Sequence, residues 1–141
     1  YIGEDGEKHR PVMVHRTVFG SIERFIGILT EHFGGAFPTW MSPVQAMIIP
    51  ITSDHAAYAD ELAAQLKADG VRVEVDHRSE KMGYKIREAT VQKIPYMLVV
   101  GGKEAESGTV SLRSYKNGDE GVKDFAEFRA ALNEEIAERR M

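Results

Sequence analysis

The sequence predicts an α/β protein built on a mostly parallel sheet with helices on both faces. Three observations lead there. Apolar, partly β-branched runs at Ala46–Ile51, Val71–Val75 and Pro95–Val100 alternate with two helix-patterned stretches, so strand and helix take turns along the chain. Ala46–Ile51 and Pro95–Val100 are apolar at successive positions rather than at every second one, as in strands buried on both sides. The connections are short and rich in Gly, Asp and Pro, which suits right-handed crossovers between neighbouring strands.

Taken in order, Val12–His15 reads as a short strand after a Gly/Asp/Glu-rich turn. Ser21 is placed to cap the helix that follows. In that helix Ile22, Phe25, Ile26, Leu29 and Phe33 recur at i, i+3, i+4, i+7 and i+11, a single apolar stripe. An apolar patch of that size seldom stays exposed, so it is expected to lie against other structure. Gly34-Gly35 ends the helix, and Pro38 and Pro43 frame an extended crossing through Trp40. A boundary therefore falls near Ser42, dividing residues 1–42 from residues 43–141.

In the second part, Ala46–Ile51 is a buried strand. Asp54–Asp69 is helical, with Tyr58, Leu62 and Leu66 four apart and alanines beside them. Gly70 stops it ahead of the strand Val71–Val75. A shorter helix spans Gly83–Gln92 around Ile86, Ala89 and Thr90, and the strand Pro95–Val100 closes at Gly101-Gly102. Thr109–Arg113 alternates, so Val110 and Leu112 face opposite to Ser111 and Arg113. Beyond a polar turn at Asn117-Gly118, a last helix carries Phe125, Phe128, Leu132 and Ile136, and Asp124 with Glu127 three residues on resembles a capping box. The order is βαβαββα.

Composition narrows the function classes. The 141 residues are 43% apolar with no cysteine, so a core forms without disulfides, and a thiol nucleophile or cysteine zinc site is excluded within this chain. Absence of cysteine agrees with a cytoplasmic location. No apolar run reaches the ~18 residues of a membrane span, and the first residues are not a signal peptide. The chain begins at Tyr1, as a piece of a longer protein would. A net charge of −4 argues against a general nucleic-acid binder such as a DNA-coating protein. Between Arg78 and Lys93, however, Arg78, Lys81, Lys85, Arg87 and Lys93 face only Glu80 and Glu88, a local charge of +3. Such a patch on an acidic body can hold a phosphate backbone at one face, or it is simply a solvated helix face.

Individual candidates follow from position. His15 and His9 lie six apart, but zinc needs three or four converging donors, and a lone histidine at a strand end is more often satisfied by backbone. Arg24 sits about one turn into its helix, where the helix dipole favours an anion; Glu23 or Glu31 is an equally available salt-bridge partner. The loop after Val71–Val75 puts Ser79–Lys81 at the carboxyl end of a strand, the usual ligand side of such sheets, with Glu104 and Arg113 as possible borders. An arginine with a glutamate can read base edges, which single-stranded RNA loops leave accessible. Gly101-Gly102-Lys103 lacks P-loop spacing, and no helix is expected to open on these glycines. No Ser/His/Asp set has motif context.

Two stretches carry a family resemblance. HRTVFGSIERFIGILTEHFGGAFPTW resembles motif 3 of the class II aminoacyl-tRNA synthetases in the threonyl form, and VEVDHRSEKMGYKIREATVQKIPYMLVVGGKEAESGTVSLR resembles the anticodon-binding domain that follows it. The second stretch alone is shared with the prolyl, histidyl and glycyl enzymes; the tandem, joined by GAFPTWMSPVQ, is similar to the threonyl family. The resemblance implies a mixed five-stranded sheet in residues 43–141, preceded by a strand-helix remnant of the catalytic domain in residues 1–42. It implies a threonine–tRNA ligase as the parent, using ATP with Mg and one zinc ion, recognising threonine tRNA, and dimerising through its catalytic domain. It implies ATP contacts for Arg24 and Ser21, charge stabilisation at phosphate by Arg24, and His15 as one of three zinc ligands. Ser79, Lys81, Arg87, Lys93, Glu104 and Arg113 match positions that contact the anticodon loop. Ser79 stands where relatives often have asparagine, and Lys93 where arginine also occurs; each keeps polarity or charge and loses a planar double contact. The isolated chain is expected to bind tRNA weakly, to hold no cofactor and to catalyse nothing. The alternatives are an anticodon-like RNA- or protein-binding module of a non-synthetase or of another class II synthetase, and a small α/β ligand-binding domain with no RNA role.

Overall fold

In the computed structural model, which describes all 141 residues, the alternation becomes one five-stranded mixed sheet. Its strands are β1 (Ala46–Pro50), β2 (Val73–Val75), β3 (Tyr96–Val100), β4 (Thr109–Ser114) and β5 (Gly118–Asp124). The spatial order is β2-β1-β3-β4-β5; β1 runs parallel to β2 and β3, while β4 and β5 turn back antiparallel. The helices are α1 (Ile22–His32), α2 (Ala56–Ala68), α3 (Met82–Val91), α4 (Gly102–Ser107) and α5 (Phe125–Glu138). No helix is long and apolar enough to cross a membrane.

The chain leaves β1 for β2 on one side and returns through α3 to β3 on the other. Right-handed crossovers then place α2 and α3 on opposite faces. The larger core lies where α2 and α5 meet the sheet: Leu62, Ala63 and Leu66 with Phe128 and Leu132 pack on Ile48, Leu98, Val100, Val110 and Leu112. Beneath α3 a smaller cluster of Ile49, Ala89, Ile94, Met97 and Val99 fills the other face. Alternation along β4 is as expected: Val110 and Leu112 are buried, and Ser111 and Arg113 half-buried on α3's side. Asp124 caps α5, accepting from the backbone N–H of Ala126 and Glu127, without the reciprocal Glu127 bond of a full capping box.

Four expectations need correction. Val12–His15 is not a strand, because no neighbouring strand offers it a ladder; residues 11–17 have no regular structure. The apolar stripe of α1 is only partly covered within this chain: Phe25, Leu29 and Phe33 are half-buried, Phe25 stacking on Phe19 with ring centroids 4.4 Å apart, while Ile22 and Ile26 face solvent. A helix does open on Gly101-Gly102, since α4 starts there with the Glu104 carboxylate accepting from Gly101 N–H at 3.1 Å. Lys85 is not part of a solvated patch, because it is buried with its ammonium on the Asp76 carbonyl.

The crossing segment is built onto the sheet rather than loosely tethered. Gln45, buried at the start of β1, donates to the Thr39 carbonyl and accepts from the Arg72 N–H, both at 2.9 Å. The Arg72 guanidinium reaches the carbonyls of Ser42 and Trp40, each at 2.9 Å, and Arg139 lies over the Trp40 ring. From the amino end of the sheet the Lys93 ammonium donates to the Gly34 carbonyl, just past α1.

Candidate nucleic-acid interface

The sheet is covered unequally. On one face α2 and α5 span its width; on the other, α3 alone covers β1 and β3. The α3-side face of β4 and β5 is therefore open, a strip bearing Thr109, Ser111 and Arg113, with Val122 63% exposed beside Ser111. A ten-residue helix is about 15 Å long, so α3 forms a wall along this strip.

The sequence-selected residues distribute around the strip and its wall. Ser79 and Lys81 are exposed in the loop from β2 to α3, at the carboxyl end of the parallel strands. They line a cleft of about 490 Å³ with Thr52, Ser53, His77 and the buried Lys85. Arg87 is exposed on the side of α3 away from the buried Lys85 and Ala89. Lys93 follows α3 at the opposite, amino end of the sheet, and its backbone takes a left-handed φ of 57°. Arg113 lies opposite Met97, near that same end, and points to the open face. Glu104 is at the carboxyl end on α4, its carboxylate engaged with Gly101. The structure thus separates Ser79, Lys81 and Glu104 at one end from Lys93 and Arg113 at the other, with Arg87 between. The spacing suits an extended ligand laid along α3 rather than a small molecule in one pocket.

Electrostatics decide which bases of the +3 window are free. Lys85 is only 4% exposed, and its ammonium donates to the Asp76 carbonyl at 2.9 Å. Asp76, 7% exposed, receives the Arg78 guanidinium in a two-point pair at 2.9 and 2.6 Å. Arg78 also bridges to Glu88 on α3 at 2.5 Å. Hydrogen bonding from Arg78 holds the Asp76 carboxyl below the usual range, and the Asp76 and Glu88 carboxylates push the Arg78 guanidinium up. Arg78 is therefore held by Asp76 and Glu88, and Lys85 by the Asp76 carbonyl, leaving Lys81 and Arg87 free to meet a polyanion, while Lys93 is half-buried with its ammonium on the Gly34 carbonyl. A linear charge count cannot make that division, because it depends on which side of α3 each residue occupies.

Sequence reasoning missed β5 and with it Asp119, which faces Arg113 across the hairpin at 2.8 Å. A signal was present: Asn117-Gly118 is a strong hairpin dipeptide. The following residues Gly118–Asp124 contain one apolar side chain, Val122, so alternation could not mark them as a strand.

In the first 42 residues the candidates are not assembled. His15 is exposed in irregular chain, and no group of three His, Cys, Asp or Glu side chains is gathered anywhere to hold a metal. Ser21 is occupied as the α1 cap, accepting from Arg24 N–H and donating to Glu23 at 2.8 Å. Arg24 is exposed, and no cleft is lined by any residue before Gly35. The residues present in this chain do not fit a zinc or ATP site by themselves.

An open sheet strip beside a helix that carries exposed bases can accommodate an extended polyanion such as a single strand. The family comparison agrees, matching residues 45–135 to the anticodon binding domain model. The chain belongs to the anticodon-binding-domain family. Its sequence is 60% identical over 139 residues to a threonine–tRNA ligase of Syntrophomonas wolfei, and 59% identical over 139 residues to that of Clostridium tetani. Each alignment covers 99% of this chain and 22% of the relative, so the chain spans about a fifth of the length of the ligases it matches. Among solved structures, the RNA-binding domain of threonyl-tRNA synthetase from Cryptosporidium parvum superposes with a TM-score of 0.75 at 31% identity, covering 85% of this chain and 30% of that one.

Proposed function

We propose that residues 43–141 read the anticodon loop of a threonine tRNA, as the RNA-recognising part of a threonine–tRNA ligase. The observation that carries this reading is the open α3-side strip, with Lys81, Arg87 and Lys93 along its wall and Arg113 on its floor. Lysines 81 and 93 and Arg87 hold the backbone as point charges or forks. Arg113 supplies the paired N–H donors that a guanine edge accepts, and Ser79 and Glu104 contribute single hydrogen bonds at the far end.

In this reading residues 1–42 belong to the catalytic part of the ligase, which forms threonyl adenylate from ATP and dimerises. Arg24 and Ser21 would face ATP with its Mg, and His15 would give zinc one donor of a set completed elsewhere. Because the chain does not gather either site, no catalytic step is assigned to it. The ligase works in the cytoplasm on this reading, without membrane or DNA as partner.

The test is equilibrium binding of the 141-residue chain to threonine tRNA and to the same tRNA with a substituted anticodon, at one fixed salt concentration. The reading expects tighter binding to the first, by the ~1–3 kcal/mol per base typical of direct readout. Equal binding to both would refute base recognition. Aminoacylation by the purified chain would refute the assignment of catalysis to parts outside it.

A further inference from the structure

Arg113 is a held side chain, and the device that holds it lies in the hairpin. β4 and β5 pair regularly up to Leu112 opposite Gly121, but Arg113 then pairs with Asp119, leaving Glu120 as an extra residue in β5. Such a bulge bends a strand and re-aims the side chains beside it. Gly121 takes a φ of 77° here, a left-handed value that glycine adopts without penalty. The Asp119 carboxylate ties the two features together. One oxygen accepts from the Gly121 N–H at 3.0 Å, and the other accepts from Arg113 Nη1 at 2.8 Å.

The stereochemistry of the pair leaves Arg113 able to act. A guanidinium has five N–H donors, and Asp119 engages it through Nη1. The Nε and Nη2 donors have no partner within the chain, and the side chain remains 33% exposed. A planar double-acceptor edge requires two donors in a fixed plane. A strand arginine in water samples many rotamers, and fixing one before the ligand arrives removes that entropy from binding.

We propose that Asp119 is the positioning residue for Arg113: it selects, through the β5 bulge, the guanidinium orientation that reads an anticodon base. The inference rests on the reading that this face meets the anticodon. A second consequence follows from charge. Asp119 is more than half exposed on the same face as Arg113, so its carboxylate repels phosphate. It therefore weakens binding to any RNA while sharpening the choice among them.

Four proteins test this at fixed salt: the full chain, Asp119→Asn, Arg113→Ala and the double variant. Each is titrated with threonine tRNA and its anticodon-substituted form, with thermal melting as a check on folding. Asparagine keeps an oxygen for Gly121 N–H but presents an amide to the guanidinium, so the bulge stays while the arginine is released. Arg113→Ala is expected to lower the ratio of the two affinities about ten- to a hundredfold. Asp119→Asn is expected to lower it about two- to fivefold, the size of an exposed ion pair, with binding to the substituted tRNA unchanged or tighter. In the Arg113→Ala background it should lower the ratio no further. If Arg113→Ala collapses the ratio and Asp119→Asn leaves it intact, the positioning role is wrong while anticodon reading stands. If Asp119→Asn lowers the ratio equally with or without Arg113, it acts through the hairpin and the inference fails. An unchanged ratio in Arg113→Ala removes both the base-reading role and the inference.

Discussion

Lys85 separates a structural lysine from a nucleic-acid contact. It stands in the most basic window of the chain, between Lys81 and Arg87, yet it is 4% exposed and its ammonium bonds to the Asp76 carbonyl. Replacing it by methionine keeps the unbranched stem and removes the charge. A hydrogen bond from a charged donor contributes about 1.5–3 kcal/mol. Relief of ammonium desolvation offsets part of this, and Asp76 retains its two-point pair with Arg78. The net cost for Lys85→Met is about 1–2 kcal/mol. Lys85→Ala also deletes three buried methylenes at ~0.8 kcal/mol each, raising the total to about 3–4 kcal/mol. For a domain of this size that is a drop in melting temperature of roughly 4–8 °C for methionine and 10–15 °C for alanine. The companion measurement is tRNA affinity against salt. A single-strand phosphate contact contributes about 0.7 to the slope of log K on log salt, and both Lys85 variants should keep the parent slope in the temperature range where they are folded. A Lys85→Met protein that melts with the parent and loses about 0.7 of slope would refute the argument. It would put the ammonium on RNA rather than on Asp76.

Three further outcomes follow from the same geometry. Lys81→Ala should show the reverse pattern, an unchanged melting temperature with a salt slope lower by about 0.7, measured by the same titration. Gln45→Ala leaves the Thr39 carbonyl and Arg72 N–H without their partner in a buried site and should cost about 2–4 kcal/mol in denaturant unfolding. Asp69 is held at about 2, chiefly by the Arg129 guanidinium and then by Asn133, below an ordinary value of 3.8. Its contribution to stability is fully present above pH 3.8 and fades as pH falls through the folded value. Asp69→Asn should therefore melt below the parent at pH 7, with the gap closing between about pH 4 and 2; a gap independent of pH would show that the ion pair does not supply it.

The core strands were readable because their cause is local. A strand buried on both faces needs consecutive apolar residues, which Ala46–Pro50 and Tyr96–Val100 supply, and a strand buried on one face needs the alternation that Thr109–Ser114 shows. β5 was not readable because its outer face borders solvent and its ladder comes from β4, so its own side chains carry almost no pattern. Val12–His15 failed for the converse reason: it has the composition of a strand and no partner to bond. The stripe on α1 records a face suited to packing, but composition cannot say what covers it.

The candidate site divides along the same line. Residue types and their order alone indicated the anticodon-binding domain, its resemblance to the threonyl family, and a basic stretch from Arg78 to Lys93. Only tertiary structure showed that Arg78 and Lys85 are consumed by Asp76 and Glu88, that Lys93 reaches Gly34, and that Asp119 meets Arg113. The reason is physical. Burial in a strand demands apolar character at each residue, and that demand is written position by position. The partner of a charged side chain depends on which helix side and which strand register place two distant residues together, and that is settled only when the sheet closes.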